Sequence, residues 1–194
     1  MDFINLSTAI SVTGLSKRTL WRRIADGVLR TEDASNMAPP PLSQSSNPQT
    51  RVAVDDVFAL SRLRLELEDR ELIVAADAGS AEAQCDLALL FLAQDLAAEA
   101  AGWLERSARQ GYLEGMHWLG RCHIAGNGVD ADERRGIDWI ARAANHGHAT
   151  AAHMVRYLYN PARQALGRAE LEVALDAIER KVLSRVIADI AGPA

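Results

Sequence analysis

Cysteine is nearly absent: Cys85 and Cys122 are the only two in 194 residues. They fall at different points of the pattern described below, so no disulfide framework is expected. Both read as buried thiols in a reducing cytoplasm. Aromatic residues make up only 5%, which leaves alanine and small aliphatics to fill a core and favours close-packed helices. No run approaches the roughly 18 apolar residues of a membrane span. Met1–Ile10 lacks the basic start and long apolar stretch of a signal peptide. Nucleophile elbow, phosphate loop and paired carboxylates are missing too, so no catalytic residue, cofactor or enzyme activity is assigned. His146, His148 and His153 lie close together, but no Cys or carboxylate completes a ligand set at regular spacing, and no metal site is expected.

What is present suits a globular chain, with 48% hydrophobic and 24% charged residues. Charge is uneven. Residues 1–54 hold six Lys/Arg against four Asp/Glu, and the remainder holds fifteen against twenty-two, giving the overall −5. A mildly basic front and an acidic back predict different partners for the two parts.

The most informative stretch is Gly111–Gly147. Met116, Leu119, His123 and Ile124 recur at three-to-four spacing, which predicts a helix with one apolar face. Gly126-Asn127-Gly128 stops it. Asp130 or Asp132 caps a second helix that buries Ile137, Ile140, Ala141 and Ala144. The unit recurs. Ala108–Gly111 matches Ala144–Gly147 at an offset of 36, and Ala76–Gly79 matches the same start 32 residues upstream. The four residues missing there are those of the Gly126–Val129 turn. A period of this size signals a solenoid of helix pairs. Trp103 and Trp139 hold equivalent second-helix positions and are expected to fill the space between pairs.

This pattern resembles the Sel-one-like repeat, a relative of the tetratricopeptide repeat. Ala108, Gly111, Gly115, Leu119, Gly126, Gly128, Val129, Trp139, Ala143 and Ala144 stand in the family's places. The first copy departs by lacking the Gly-x-Gly-Val turn, and the third meets Pro161. The resemblance covers roughly residues 75–160 and implies a protein-binding superhelix without chemistry of its own.

The front of the chain reads as two short helices. Ser7 or Thr8 starts the first and Gly14 stops it. Ser16 caps the second, which buries Leu20 and Ile24 one turn apart, and Asp26-Gly27 ends it. Two helices about a tight turn make a helix-turn-helix. Gly14-Leu15-Ser16-Lys17-Arg18-Thr19-Leu20, followed by Gly27-Val28-Leu29, resembles the winged helix-turn-helix of MerR-like and excisionase-like DNA-binding proteins. Over residues 1–58 the resemblance implies a wing and a further helix, with Asp55 or Asp56 at its cap. The inward face of Leu20 and Ile24 turns Lys17, Arg18, Trp21 and Arg22 outward, with Arg23 at the edge. Lys and Arg there suit phosphates or guanine edges, and Ser16 with the free amides at the helix start suits a phosphate. Arg51, on the wing's return strand Arg51–Val54, adds a further contact. The candidate DNA-binding set is therefore Ser16, Lys17, Arg18, Trp21, Arg22, Arg23 and Arg51. An ordinary solvated basic face is the alternative.

Residues 31–50, rich in Pro, Ser, Asn and Gln, read as a mobile loop inserted at the wing. Asp55–Asp77 reads as one helix connecting the domains, stabilised by a Glu66–Arg70 pair, with a coiled-coil dimer seam as the alternative. After Asn160-Pro161, Gly167–Ile190 predicts a long C-terminal capping helix whose length leaves apolar surface for a partner or a homodimer. The expected class is mostly α: a winged helix-turn-helix, an α-solenoid, and a cap at 161–194. The expected function is a cytoplasmic, bacterial-type DNA-binding transcriptional regulator or cofactor whose repeats bind a protein. The alternative is a non-enzymatic adaptor with protein interfaces on both parts.

Overall fold

The computed structural model describes residues 2–32, 50–161 and 166–191, apart from the side chains of 189–191. The reading of 31–50 as a mobile loop falls almost wholly outside the described residues. The described chain is mostly helical with one two-stranded sheet. It divides into two compact units, Met1–Leu87 and Ala88–Ala194.

In the first unit, β1 (Phe3–Asn5) pairs antiparallel with β2 (Arg51–Ala53), Ile4 facing Val52. Thr31 adds a single bridge to Val52. The expected return strand exists, but its main partner is the first strand of the chain. α1 (Leu6–Thr13) starts after Asn5, not at Ser7 or Thr8, and Gly14 ends it at φ 67°. α2 (Lys17–Ala25) follows after three residues. Ser16 Oγ accepts from the Thr19 N–H at 3.1 Å, and Leu20 and Ile24 are buried, as their spacing predicted.

The single helix expected over 55–77 is instead two: α3 (Val54–Ala59) and α4 (Asp69–Asp77). Asp55 and Asp56 lie in the first turn of α3, and Ala53 holds the cap position. The break has a local cause. The Leu63 N–H donates to Ser61 Oγ at 3.0 Å, and the Arg62 N–H donates to the Val12 carbonyl at 3.4 Å. A side-chain acceptor and a carbonyl of α1 thus replace the helical partners. Leu67 is left 84% exposed, and the leucine stripe that suggested a dimer seam is interrupted. Arg70 binds Asp55 and Asp2 rather than Glu66.

The start of α1 is capped from a distance. Asn5 makes no side-chain cap bond. Asp77, the last residue of α4, accepts from the Asn5 N–H and from Nδ2 at 3.1 Å, and from Thr8 Oγ1 at 2.5 Å. A carboxylate there also opposes the positive end of the helix dipole. Asp77→Ala leaves these donors unpaired and should cost about 1–3 kcal/mol. Urea unfolding of the full chain measures it, and an unchanged midpoint refutes the anchoring role.

The division between the units falls within α5 (Ala81–Leu92). The second unit continues with α6 (Ala97–Arg109), α7 (Leu113–Ala125), α8 (Glu133–Asn145), α9 (Ala149–Leu158) and α10 (Arg168–Ala191). From α6 to α9 each helix packs on the next. Met116, Leu119, His123, Ile124 and Ile140 are buried as predicted, whereas Ile137 is half-exposed. Asp132, of the two candidates, caps α8 by accepting from the Arg135 N–H at 2.9 Å. Where the first copy lacks its glycines, Asp95 takes the left-handed turn at φ 59°, a conformation Asp tolerates better than most residues. Trp103 is 3% exposed and fills the core as expected. Trp139 is only half-buried, with the Arg142 guanidinium 4.8 Å over its ring.

α7 and α8 meet at backbone distance. A Cβ on Gly120 would lie 2.7 Å from the Gly136 carbonyl, and one on Gly136 would lie 2.6 Å from the Gly120 carbonyl. Only hydrogen fits on either side. Gly136→Ala has to push two helices apart and should cost about 2–3 kcal/mol. Thermal unfolding reads this directly, and a gain in stability from the better helix former would show that the crossing yields.

α10 does more than cover the end of the repeats. It packs on α9 and also reaches α7. Leu171 and Leu175 are buried, while Val173, Leu183, Val186 and Ile187 are exposed, the surplus apolar surface that its length implied.

Candidate functional site

The outer face of α2 carries part of the expected set. Ser16, Lys17, Arg18 and Arg22 are exposed. Trp21 and Arg23 are half-buried, and the Trp21 indole N–H and Arg23 Nε are shielded without an acceptor among the described residues. Trp21 therefore does not stand out from the helix as predicted. Arg51 is engaged inside its own unit: it pairs with Glu32 at 3.1 Å and donates to the Phe3 carbonyl. Its charge is partly matched where a free contact was expected. Arg30, not singled out from the sequence, forms a fork with Asp56 at 2.6 and 2.9 Å. That bond holds the Asp56 carboxyl below its ordinary value and ties the segment after α2 to α3. The geometry of α2 is thus a capped, amide-bearing helix start with three exposed cations within its first two turns.

The second unit holds a polar ladder on α7 that sequence reading missed. Arg121 is only 6% exposed. It donates to Glu172 at 2.9 Å, to Asp176 at 2.5 Å and to Glu179 at 2.9 Å, all on α10. One turn earlier, His117 is fully buried, with Nε2 3.8 Å from Glu179. That distance is too long for a hydrogen bond. The His117 ring stacks on His148 at 4.8 Å and meets Trp118 edge-on. Glu114 then accepts from Trp118 Nε1 and bonds His148 Nε2, each at 2.7 Å. His148 Nδ1 caps α9 through the Ala151 N–H. Two of the three clustered histidines noted in the sequence thus have structural partners: His148 here, and His146 at the Arg142 carbonyl. The available signal was the spacing of Glu172, Asp176 and Glu179, which places three carboxylates on one face of a helix. Buried beside this ladder, the Cys122 thiol is pushed up to about 11 by desolvation, which makes it a poor nucleophile.

The two larger of the described grooves on this unit differ in charge. One of about 440 Å³ lies between α9 and α10 and carries Arg156, Lys181 and Arg185 over Tyr157, Ile178 and Val182. The other, of about 520 Å³, lies by α6 and the Gly128 turn and carries Glu105, Asp130, Asp132, Arg135 and His123. Burial, then the nearby Arg135, holds the His123 imidazole below its ordinary value, so it is neutral there.

The ladder sets an acid limit on this unit. His148, through its hydrogen bond, does most to hold the Glu114 carboxyl low; His117, then Arg121, do so for Glu179. A carboxyl with a depressed folded value stabilises the fold above its unfolded value and loses that contribution as pH falls through the folded one. Stability should therefore begin to fall as pH drops below the ordinary histidine value near 6.5, where only the unfolded His123 takes a proton, and fall further below about pH 4.5, given an unfolded Glu near 4.3. Arg121→Ala, which leaves clustered carboxylates unpaired, should cost about 3 kcal/mol. Asp176→Ala, at an exposed partner, should cost under about 1 kcal/mol. Melting temperatures of the wild type and both variants between pH 7 and 3 decide this; equal losses for the two substitutions would refute the ladder as a buried anchor.

A family model for the Sel1 repeat matches residues 81–112 and 113–148. Searches of curated proteins and of solved structures return no match to the chain. The Sel1 match includes the first copy despite its missing turn, ends before α9, and leaves the α2 site outside it. Repeats of this kind point to protein–protein interaction. No helix among the described residues is long and apolar enough to cross a membrane.

Proposed function

We propose that the chain is a cytoplasmic DNA-binding transcriptional regulator or cofactor, with α2 facing DNA and the helical repeats receiving a partner protein. The observation that carries this reading is the exposed trio Lys17, Arg18 and Arg22 on a helix capped by Ser16. A recognition helix leads with its N-terminal residues, where free amides and cations meet phosphates and base edges. The turn at Gly14 and the strand Arg51–Ala53 support a winged helix-turn-helix of the MerR-like kind. The excess of two positive charges over residues 1–54 is small for tight binding by one copy, so a homodimer is part of the proposal. No reaction is assigned to either unit.

A second reading has its own observation. Arg51 is matched by Glu32, and Trp21 and Arg23 are half-buried, which thins the positive face. On that reading the chain is a non-enzymatic adaptor and α2 meets protein instead.

Binding of wild type and the double variant Arg18→Ala, Arg22→Ala to promoter-region DNA, at two salt concentrations, separates the readings. Both side chains are exposed, so folding should be intact. Each lost phosphate contact should lower the slope of log affinity against log salt by about one; a lost base contact should cost about 1–3 kcal/mol at one position of the site. If the wild type shows no salt-dependent binding at micromolar levels, the regulator reading fails and the adaptor leads.

A further inference from the structure

The groove between α9 and α10 is built from two stripes of the same period. Its four lining residues on each side recur at i, i+3, i+4 and i+7, from His153 along α9 and its end, and from Ile178 along α10. Two helices that present such stripes to one trough leave a seat for the ridge of a third. Tyr157, Ile178 and Val182 give the trough apolar contact, and the exposed Val186 extends it by one turn along α10. The charge along it is of one sign. Among the described side chains, Arg156, Lys181 and Arg185 line the groove, no acidic one lines it, and none of the three makes an ion pair. The chain as a whole carries −5. This is a cationic trough on an acidic protein, and its apolar floor suits a helix better than a phosphate backbone.

The unit already docks one helix by the same chemistry. The first half of α10 sets two buried leucines and three carboxylates against its neighbours, with Arg121 as the cationic partner. We propose that the α9–α10 groove binds an acidic amphipathic helix of a partner protein. The apolar stripe of that helix lies on Tyr157, Ile178 and Val182, and its flanking carboxylates meet Arg156, Lys181 and Arg185. The proposal rests on the reading of the repeat unit as the protein-binding part of the chain, and names the kind of partner.

The test is a selection on the full chain from a displayed library of amphipathic helices about five turns long. All carry a leucine stripe, with flanks randomised among Glu, Gln and Lys. Enriched clones should carry Glu flanks. A synthetic enriched peptide, followed by fluorescence anisotropy, should bind the Arg156→Glu, Arg185→Glu variant about tenfold more weakly or worse. Selection on that variant should shift the flanks toward Lys, which an unfolded variant cannot do. Clones that enrich on the wild type but ignore the charge reversal overturn the groove and leave the repeats as a protein-binding unit. If no clone enriches, the groove falls, while the broader reading of the repeats as a protein-binding unit is untouched. Variant-sensitive binding to anionic phosphatidylserine vesicles without any enriched peptide would move the site to a lipid surface and overturn the proposal equally.

Discussion

A guanidinium withdrawn from water must be matched, and in the second unit Arg121 is matched by three carboxylates of one helix. Glu172, Asp176 and Glu179 lie at intervals of four and three along α10, so a single face of that helix meets a single cation of α7. The arrangement is directional in a way that leucine packing is not. Leu171 and Leu175 would be buried in many rotations of α10; only one rotation brings all three acids to Arg121. Buried ion clusters add little net stability over an apolar replacement. Their effect here is on position: the cluster fixes which face of α10 looks at α7, and therefore which face is left to line the groove with α9.

That division of labour explains what could be read in the sequence. Local and periodic signals survived. Ser16 caps α2, Leu20 and Ile24 face inward, Asp132 caps α8, and the stripe from Met116 to Ile124 is buried. Each is decided by residues within about one turn of one another, where backbone geometry leaves few choices. Signals that needed a distant partner did not survive. The leucines between Asp55 and Asp77 keep a helical period, yet Ser61 and the Val12 carbonyl win the hydrogen bonds that would continue the helix. Nothing in the residues around Asp77 marks it as the acceptor for the start of α1, 72 positions away in the case of Asn5. Arg121 lies in a helix whose apolar face is set by Met116, Leu119, His123 and Ile124, and no local signal adds it to the buried residues. Its burial depends on where α10 lies, which no local pattern encodes.

The candidate site on α2 follows the same rule. Lys17, Arg18 and Arg22 are placed outward by their spacing from Leu20 and Ile24, and they are exposed. Trp21 and Arg51 required knowledge of the surroundings. Arg51 sits opposite Asn5 in the sheet, close enough to reach the Phe3 carbonyl and Glu32. A strand position chosen for its pairing thus diverts a cation that the helix-turn-helix resemblance would spend on a nucleic acid. Any DNA contact by this unit falls mainly on α2, which makes a second copy more necessary than it is for a domain with a free basic wing.

The repeats add a constraint that bears on what partner they accept. α7 and α8 touch through Gly120 and Gly136, closed in by Ile124 and Ile140, so this pair of helices cannot open to admit a ligand without losing its closest packing. α10 already covers parts of α7 and α9. Surfaces inside the stack are therefore spoken for, and a partner has to use an edge that is formed but not filled. Beside α6, the acidic groove places Asp130 and Asp132 near a neutral His123 and is walled by the Gly128 turn, whose backbone presses on Ala97. Between α9 and α10, the walls are side chains with room to adjust, long cations over apolar carbons. Long, flexible Arg and Lys stems can shift to meet a helix while their heads stay hydrated until contact. Of these two grooves, the one whose walls can adapt without disturbing the helix stack is the cationic one.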